Sequence, residues 1–281
     1  MRALSELSLK KSARRKVGGV MVYILVVGHA GLAQSGGRGS APSGPYEATP
    51  QRPTFTASTS TTAPGTLELE FGATSSGSFL TLPTTLKYTP DVRRGVLHRA
   101  EFSLSFDAIS RVDVGGRHVT HFGNSLGFVI RRPVYIGESF SLAVAPRAIF
   151  LLRGDRGARL GARLLAAYTF GLNSVVGNFT WTSATSPSPT NPAQQYDVAF
   201  DYSRALGESG VLNRLNVFAG LLYENPRHQP AAVSLGQGLS YRVRPNWVLD
   251  FAVREVGLAA GRRDYQILTG FTVNLGRIRD W

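Results

Sequence analysis

Four histidines lie beyond residue 33, His98, His118, His121 and His228, and their spacing is the first place to look for metal or catalytic chemistry. In His118-Val-Thr-His121 a three-residue step puts the two imidazoles on opposite faces of a strand, because strand side chains alternate. Only a loop would bring them onto one ion, so no metal site is expected. A Ser-His-Asn hydrolase of the outer-membrane type would want a serine two residues after a histidine on a strand. Here the residues at that spacing are Ala100, Thr120, Gly123 and Pro230. Gly36-Gly37-Arg38-Gly39 has the glycines of a phosphate cradle without a strand before it or a helix after it. With no cysteine at all, thiolate metal sites and disulfides are excluded. The expectation is a protein that is not an enzyme and carries no cofactor.

The remaining chemistry is charge, and its meaning depends on the elements that carry it. In Tyr196, Val198, Phe200 and Tyr202 the apolar residues alternate with Asp197, Ala199, Asp201 and Ser203. The same period of two runs through Ala100–Asp107, Leu67–Gly72 and Trp247–Arg254. A helix would instead group apolar residues at i, i+3 and i+4. Weaker alternation covers Leu82–Tyr88, Leu126–Ile130, Phe140–Phe150, Leu160–Phe170, Val175–Trp181, Leu215–Tyr223, Val233–Val243 and Ile267–Leu275. Ala158–Leu172 could be helical on propensity alone. Pro83 and Pro146 fall inside proposed strands, and each calls for a bulge or a strand end.

About twelve such segments, an even number, fit an all-β, transmembrane, antiparallel up-and-down β-barrel occupying residues 66–281. The only long apolar run, Val20–Val27, is too short for a spanning helix, which needs about 20 residues. Tyr88, Trp181, Tyr196, Tyr202, Tyr223, Tyr241 and Trp247 sit near strand ends on the apolar parity, where two interfacial girdles would place them. A soluble β-sandwich is the rival architecture; its exposed face would be richer in Lys, Glu and Thr. If both chain ends lie on the periplasmic side, Gly171–Ser174 and Arg244–Asn246 are turns, while Ser183–Gln194 and Val256–Asp264 are outer loops.

Ahead of the barrel, residues 1–33 read as a cleaved signal peptide: a basic stretch Lys10–Lys16, an apolar stretch Val17–Val27, and small residues Gly31 and Ala33 before Gln34. Residues 34–65 are rich in Gly, Ser, Thr and Pro and are expected to be a flexible tail. It could enter the lumen as a loose plug, but a periplasmic extension is the simpler reading. The net charge of +13 is partly the leader's, and beyond it Lys87 is the one lysine. The arginines there are scattered, not clustered with aromatics as in a nucleic-acid binder, so no nucleic-acid partner is expected.

Under the barrel parity the lumen-facing candidates are Glu68, Glu70, Glu101, Arg147, Arg159, Arg163, Asp201, Asp250 and Arg254. Glu68, Glu70 and Asp250 fall on the first and eleventh strands, and Arg147, Arg159 and Arg163 on the fifth and sixth, roughly across the barrel. Opposed charges would set up a transverse field suited to small polar or zwitterionic solutes. Equally, they could form a salt-bridged network that fills and stiffens the barrel.

The last strand, Gly270-Phe-Thr-Val273-Asn-Leu275, has the Gly-x-x-apolar-x-apolar spacing read by the barrel assembly machinery. Together with Gly238-Leu239-Ser240-Tyr241, Pro245–Asp250 and Asp264-Tyr265 it resembles the closing hairpins of the outer-membrane transporter family labelled "MetA-pathway of phenol degradation". Arg52-Pro53-Thr54-Phe55 and Pro64–Gly72 are similar to that family's opening segment. The resemblance runs from about Arg52 to Leu275, with the two ends specific. It implies an outer-membrane channel or uptake protein, with hydrophobic or aromatic compounds among its solutes and with outer-membrane lipid and the assembly machinery as partners. A non-conducting structural or adhesive barrel acting through Ser183–Gln194 is the alternative, and an outer-membrane hydrolase a more distant one.

Overall fold

The computed structural model describes residues 47–77, 79–95, 97–114, 117–152, 157–188, 191–258 and 263–278. The leader 1–33, the first part of the expected tail, the Gly36–Gly39 motif and Trp281 lie outside them. The strands are β1 (Thr66–Ser75), β2 (Phe79–Tyr88), β3 (Glu101–Val114), β4 (Arg117–His121), β5 (Ser125–Ile136), β6 (Phe140–Leu151), β7 (Gly157–Phe170), β8 (Asn173–Ala184), β9 (Gln194–Ala205), β10 (Leu215–Pro226), β11 (Ala232–Arg244), β12 (Trp247–Val256) and β13 (Asp264–Arg277).

Each strand pairs antiparallel with the next, except that β5 pairs with β3 instead of β4, and β1 pairs with both β2 and β13, which closes the sheet on itself. Twelve strands form the ring. The thirteenth, β4, pairs only with the outer part of β3, while β5 takes the inner part of the same strand. Closure leaves no unpaired edge, the condition for a sheet in hydrocarbon. Sequence pattern missed β4 because a short strand extending a hairpin past the wall has no lipid face to impose alternation.

The alternation sorts as expected. Val175, Phe179, Trp181, Tyr196, Phe200, Leu221, Leu235, Leu239, Leu249, Phe251 and Ile267 are exposed on the outside, while Asn178, Thr180, Asp201, Ser234, Asp250, Thr272 and Asn274 are buried inside. That inversion, apolar out and polar in, is the sign of a barrel solvated by lipid. A soluble sandwich would bury the first set. Ala158–Leu172 is strand, not helix: β7 pairs along its whole length with β6 and β8, and tertiary pairing overrides propensity. Pro83 sits at a register shift against β3, as expected, and Pro133 marks a similar shift between β5 and β6. Pro146 has no bulge; it pairs with Ala162 of β7, and the β5–β6 ladder has no paired residues between Val129–Arg147 and Arg132–Val144.

The near rim carries the start of β1, the end of β13 and the connections at 89–100, 137–139, 171–172, 206–214 and 245–246. The fourth of these is lengthened by a 3-10 turn, Leu212–Arg214. The far rim carries the ends of β1, β3, β6, β8, β10 and β12 and the starts of β2, β4, β7, β9, β11 and β13. Tyr88, Tyr202, Tyr241 and Trp247 lie toward the near rim, and Trp181, Tyr196 and Tyr223 toward the far rim. Tyr135, Phe140, Tyr168 and Phe170 join the near set and Tyr265 the far one, all exposed on the outside. Gly270 faces inward against Asp250, whereas Val273 and Leu275 lie on the opposite parity, facing out.

Phe251 is near the middle of β12 on the outer face. Phe251→Lys is expected to destabilise the barrel by about 2–4 kcal/mol, as a cation at mid-depth in lipid does. Urea titration in liposomes, read by heat-modifiable gel migration, checks this.

Candidate functional site

Residues 47–65 do not trail away from the barrel. They enter it. The chain starts at the near rim, where Ala48 N–H donates to Pro245 O at 3.0 Å and Asn274 Nδ2 donates to Glu47 O at 3.1 Å. It rises along β1 and crosses toward β12, then returns past β9, β8, β5 and β6 to Thr62 beside β3. Finally it meets β1 through a turn at Gly65, whose φ of 81° suits glycine. Ala48, Thr56, Ala57, Thr59, Thr62 and Ala63 are buried.

The inward charges hold this re-entrant segment by its backbone. Four carboxylates accept its amides: Glu68 from Thr49 at 2.6 Å, Glu70 from Gln51 at 2.6 Å, Asp201 from Thr56 at 2.5 Å and Glu101 from Thr62 at 2.7 Å. Three cations donate to its carbonyls: Lys87 to Thr49 at 2.8 Å, Arg131 to Ser58 at 2.7 Å and Arg254 to Pro53 at 2.6 Å and Thr54 at 3.0 Å. Thr59 Oγ1 and Ser141 Oγ lie 2.6 Å apart. A buried segment without helix or sheet has to satisfy its own peptide groups, and here charged side chains do so from six strands. This corrects the expectation of a flexible tail for residues 47–65. Polar composition denies the segment an apolar core of its own, but the barrel supplies the partners that water would otherwise provide.

The same charges neutralise one another. Lys87 Nζ lies 2.5 Å from Glu68 and 2.7 Å from Glu70, all three essentially excluded from solvent, and Arg131 pairs with Glu101 in an equally buried site. At the near rim Arg242 pairs with Glu47 at 3.1 Å. Two inward glycines make room for the segment's larger side chains. A β-carbon at Gly72 would fall 2.3–2.5 Å from the Arg52 guanidinium, and one at Gly236 would fall 2.9 Å from the Phe55 ring. That ring lies under Arg254, with the guanidinium carbon 4.4 Å from its centroid.

Of the nine lumen candidates, then, Glu68, Glu70, Glu101, Asp201 and Arg254 bind the segment. Asp250 is buried on the inner wall with both carboxylate oxygens unpaired by protein. Arg147, Arg159 and Arg163 lie apart from the segment, in the half of the barrel toward the far rim. Arg163 Nε donates to Thr180 Oγ1 at 3.1 Å, and Arg159 Nη2 donates to Gln195 Oε1 at 2.5 Å. Sequence reading did not single out Lys87 or Arg131 as site residues, although an isolated lysine in a strand flanked by a two-glutamate strand was a usable signal. Between the segment and the β8–β11 wall a cavity of about 200 Å³ remains, lined by Thr54, Thr56, Val176, Asp201, Ser203 and Phe218 among others. Of the histidine pair, His121 Nε2 donates to Asn124 Oδ1 at 2.5 Å on the hairpin.

A closed sheet with an apolar exterior and a charged interior defines the class: a transmembrane β-barrel, its near half filled by its own N-terminal segment. Among solved structures it is similar to the KdgM porin, with a TM-score of 0.53 and 11% identity over 73% of this chain and 98% of that one. The KdgM porin in complex with disordered oligogalacturonate gives 0.52 and 10% over 73% and 98%, and the NanC porin 0.52 and 10% over 74% and 100%. At such identity the likeness is one of fold. No protein-family model matches the chain, and no curated protein sequence does.

Removing Lys87 leaves two buried carboxylates without their counter-charge, a loss of about 3–5 kcal/mol for a broken buried pair. Lys87→Met is expected to lower the urea midpoint and to loosen the segment. In a chain without cysteine, Ser58→Cys reports this directly, as faster maleimide labelling in the Lys87→Met background.

Proposed function

We propose that this protein is an outer-membrane channel for small solutes, exported by the signal peptide at residues 1–33, and that residues 47–65 act as its gate. The observation that carries the proposal is how the segment is held. Its anchors are hydrogen bonds to charged side chains within a polar lumen, and water can replace each of them. An apolar plug would have no comparable aqueous exit state. With the segment in place, the near half of the lumen is reduced to the cavity beside β8–β11. With it displaced, the twelve-stranded wall encloses a continuous polar path lined by Glu68, Glu70, Asp201, Asp250 and Arg254.

Resemblance of the two ends of the chain to the MetA-pathway family supports an uptake role, with aromatic compounds among the candidate solutes. The porin-like fold supports passage through the lumen and not catalysis. The exposed aromatic belts support residence in a bilayer, with Gly270, Val273 and Leu275 as the segment offered to the assembly machinery.

Thr59 and Ser141 provide the test, since their hydroxyl oxygens are 2.6 Å apart and the chain has no cysteine of its own. Thr59→Cys/Ser141→Cys, oxidised, is expected to tether the segment and give low conductance in planar bilayers; dithiothreitol should raise it several-fold. Equal conductance in both states would remove the gating role. If neither state nor the unmodified protein conducted or admitted solute into liposomes, the channel reading would be lost and a scaffold acting through its loops would take its place.

A further inference from the structure

Once the segment and its partners are accounted for, one group of inward charges remains unused. Arg147 on β6 stands opposite Gly161 on β7, and Arg159 and Arg163 flank that glycine two residues either side. All three side chains therefore share the inner face, with Arg147 diagonal to each of the others at about 7–8 Å between α-carbons. Like charges at this spacing repel, so an arrangement that concentrates them calls for a counter-charge.

The described residues only partly provide one. None of the three arginines forms an ion pair with a described residue. Asp197 acts on all three through space, and Glu224 on Arg159. These two acids are register partners of each other on β9 and β10, beyond the threonine-bearing strand β8. Arg147 and Arg159 each bury an Nε–H that has no acceptor. A guanidinium whose Nε–H has no acceptor has its side-on edge, the one that binds an oxyanion through two parallel N–H groups, still unfilled. Arg131, one strand further round, also buries an Nε–H without an acceptor, but its two Nη groups are taken by Glu101 and Ser58, so it differs from the other two in already holding a carboxylate.

We infer that Arg147, Arg159 and Arg163 form a binding site for a small oxyanion, a carboxylate or a phosphate, in the far half of the lumen. This deepens the channel reading and rests on it for its physiological sense, but the site itself does not depend on conduction. The re-entrant segment lies toward the near rim, so a solute from the far side reaches the arginines before it reaches the gate. Thr180 and Thr182 on β8 add neutral donors beside the guanidinium groups. Asp197 and Glu224, facing them, disfavour a second anion and leave one place of selectivity.

Titration calorimetry of the full-length barrel in detergent separates the outcomes. Benzoate and its neutral isostere benzamide test charge at constant shape, and inorganic phosphate tests the other oxyanion. Benzoate or phosphate should bind and benzamide should not. Arg147→Gln and Arg159→Gln should each weaken that binding about tenfold or more, the size of a lost hydrogen bond to a charged group. Neither arginine is in an ion pair with a described residue, so both variants should keep the heat-modifiable gel shift. Arg214→Gln at the near rim should change nothing. Equal binding of benzoate and benzamide, no binding of either oxyanion, or unchanged affinity in the folded variants would overturn the site. Reversal potentials across a salt gradient isolate the channel reading. Conductance with no loss of anion preference in the triple Gln variant sinks the site and leaves the channel. Benzoate binding without conductance leaves the site and sinks the channel.

Discussion

A carboxylate turned into a barrel this narrow has little water to face and needs a cation or an N–H group within reach. Glu68, Glu70 and Glu101 illustrate the constraint: each is almost wholly excluded from solvent, and each is matched both to a cation and to a backbone amide of residues 47–65. Lys87 is the centre of the arrangement. It bridges the two glutamates of the neighbouring strand and donates to Thr49, so one ammonium holds the wall and the segment together. Desolvating so many charges is costly, and the cost is offset only while all partners stay in place. The inner polar network therefore acts as a unit.

That unit explains the division of the lumen. Toward the near rim Glu68, Glu70, Lys87, Glu101, Arg131, Asp201 and Arg254 are each matched to the segment or to another side chain, whereas Asp250 is not, and the space is largely filled. Toward the far rim Arg147, Arg159 and Arg163 remain without ion pairs among the described residues. The two halves of one barrel thus differ in charge balance: one is filled and neutralised, and the other carries arginines without ion pairs among the described residues. Of the two arrangements that the charge pattern left open, the salt-bridged filling is the one seen toward the near rim.

The outer surface obeys a simpler rule. Its apolar residues need only alternate and its aromatics only fall near strand ends, because lipid makes no specific demand on each side chain. The wall tolerates local irregularity where the ladder can absorb it, at Pro83 and Pro133 by register shifts. At Pro146 the missing amide falls where the β5–β6 ladder is already open.

The sequence by itself determined what is local and periodic: the strands, their even number in the ring, the parity of each charge and the strand-end aromatics. A period of two is imposed by backbone geometry and survives in any register, so it can be read without knowing what lies across the wall. It determined far less about partners. That Lys87 falls opposite Glu68, with Glu70 diagonal to it, follows from the β1–β2 register, and that Thr56 meets Asp201 across 145 residues follows only from closure. Polar residues 47–65 read as a tail because composition records only that they have no core of their own. Whether water or a ring of inward charges satisfies their peptide groups is a property of the space those charges enclose, and the closed barrel alone creates it.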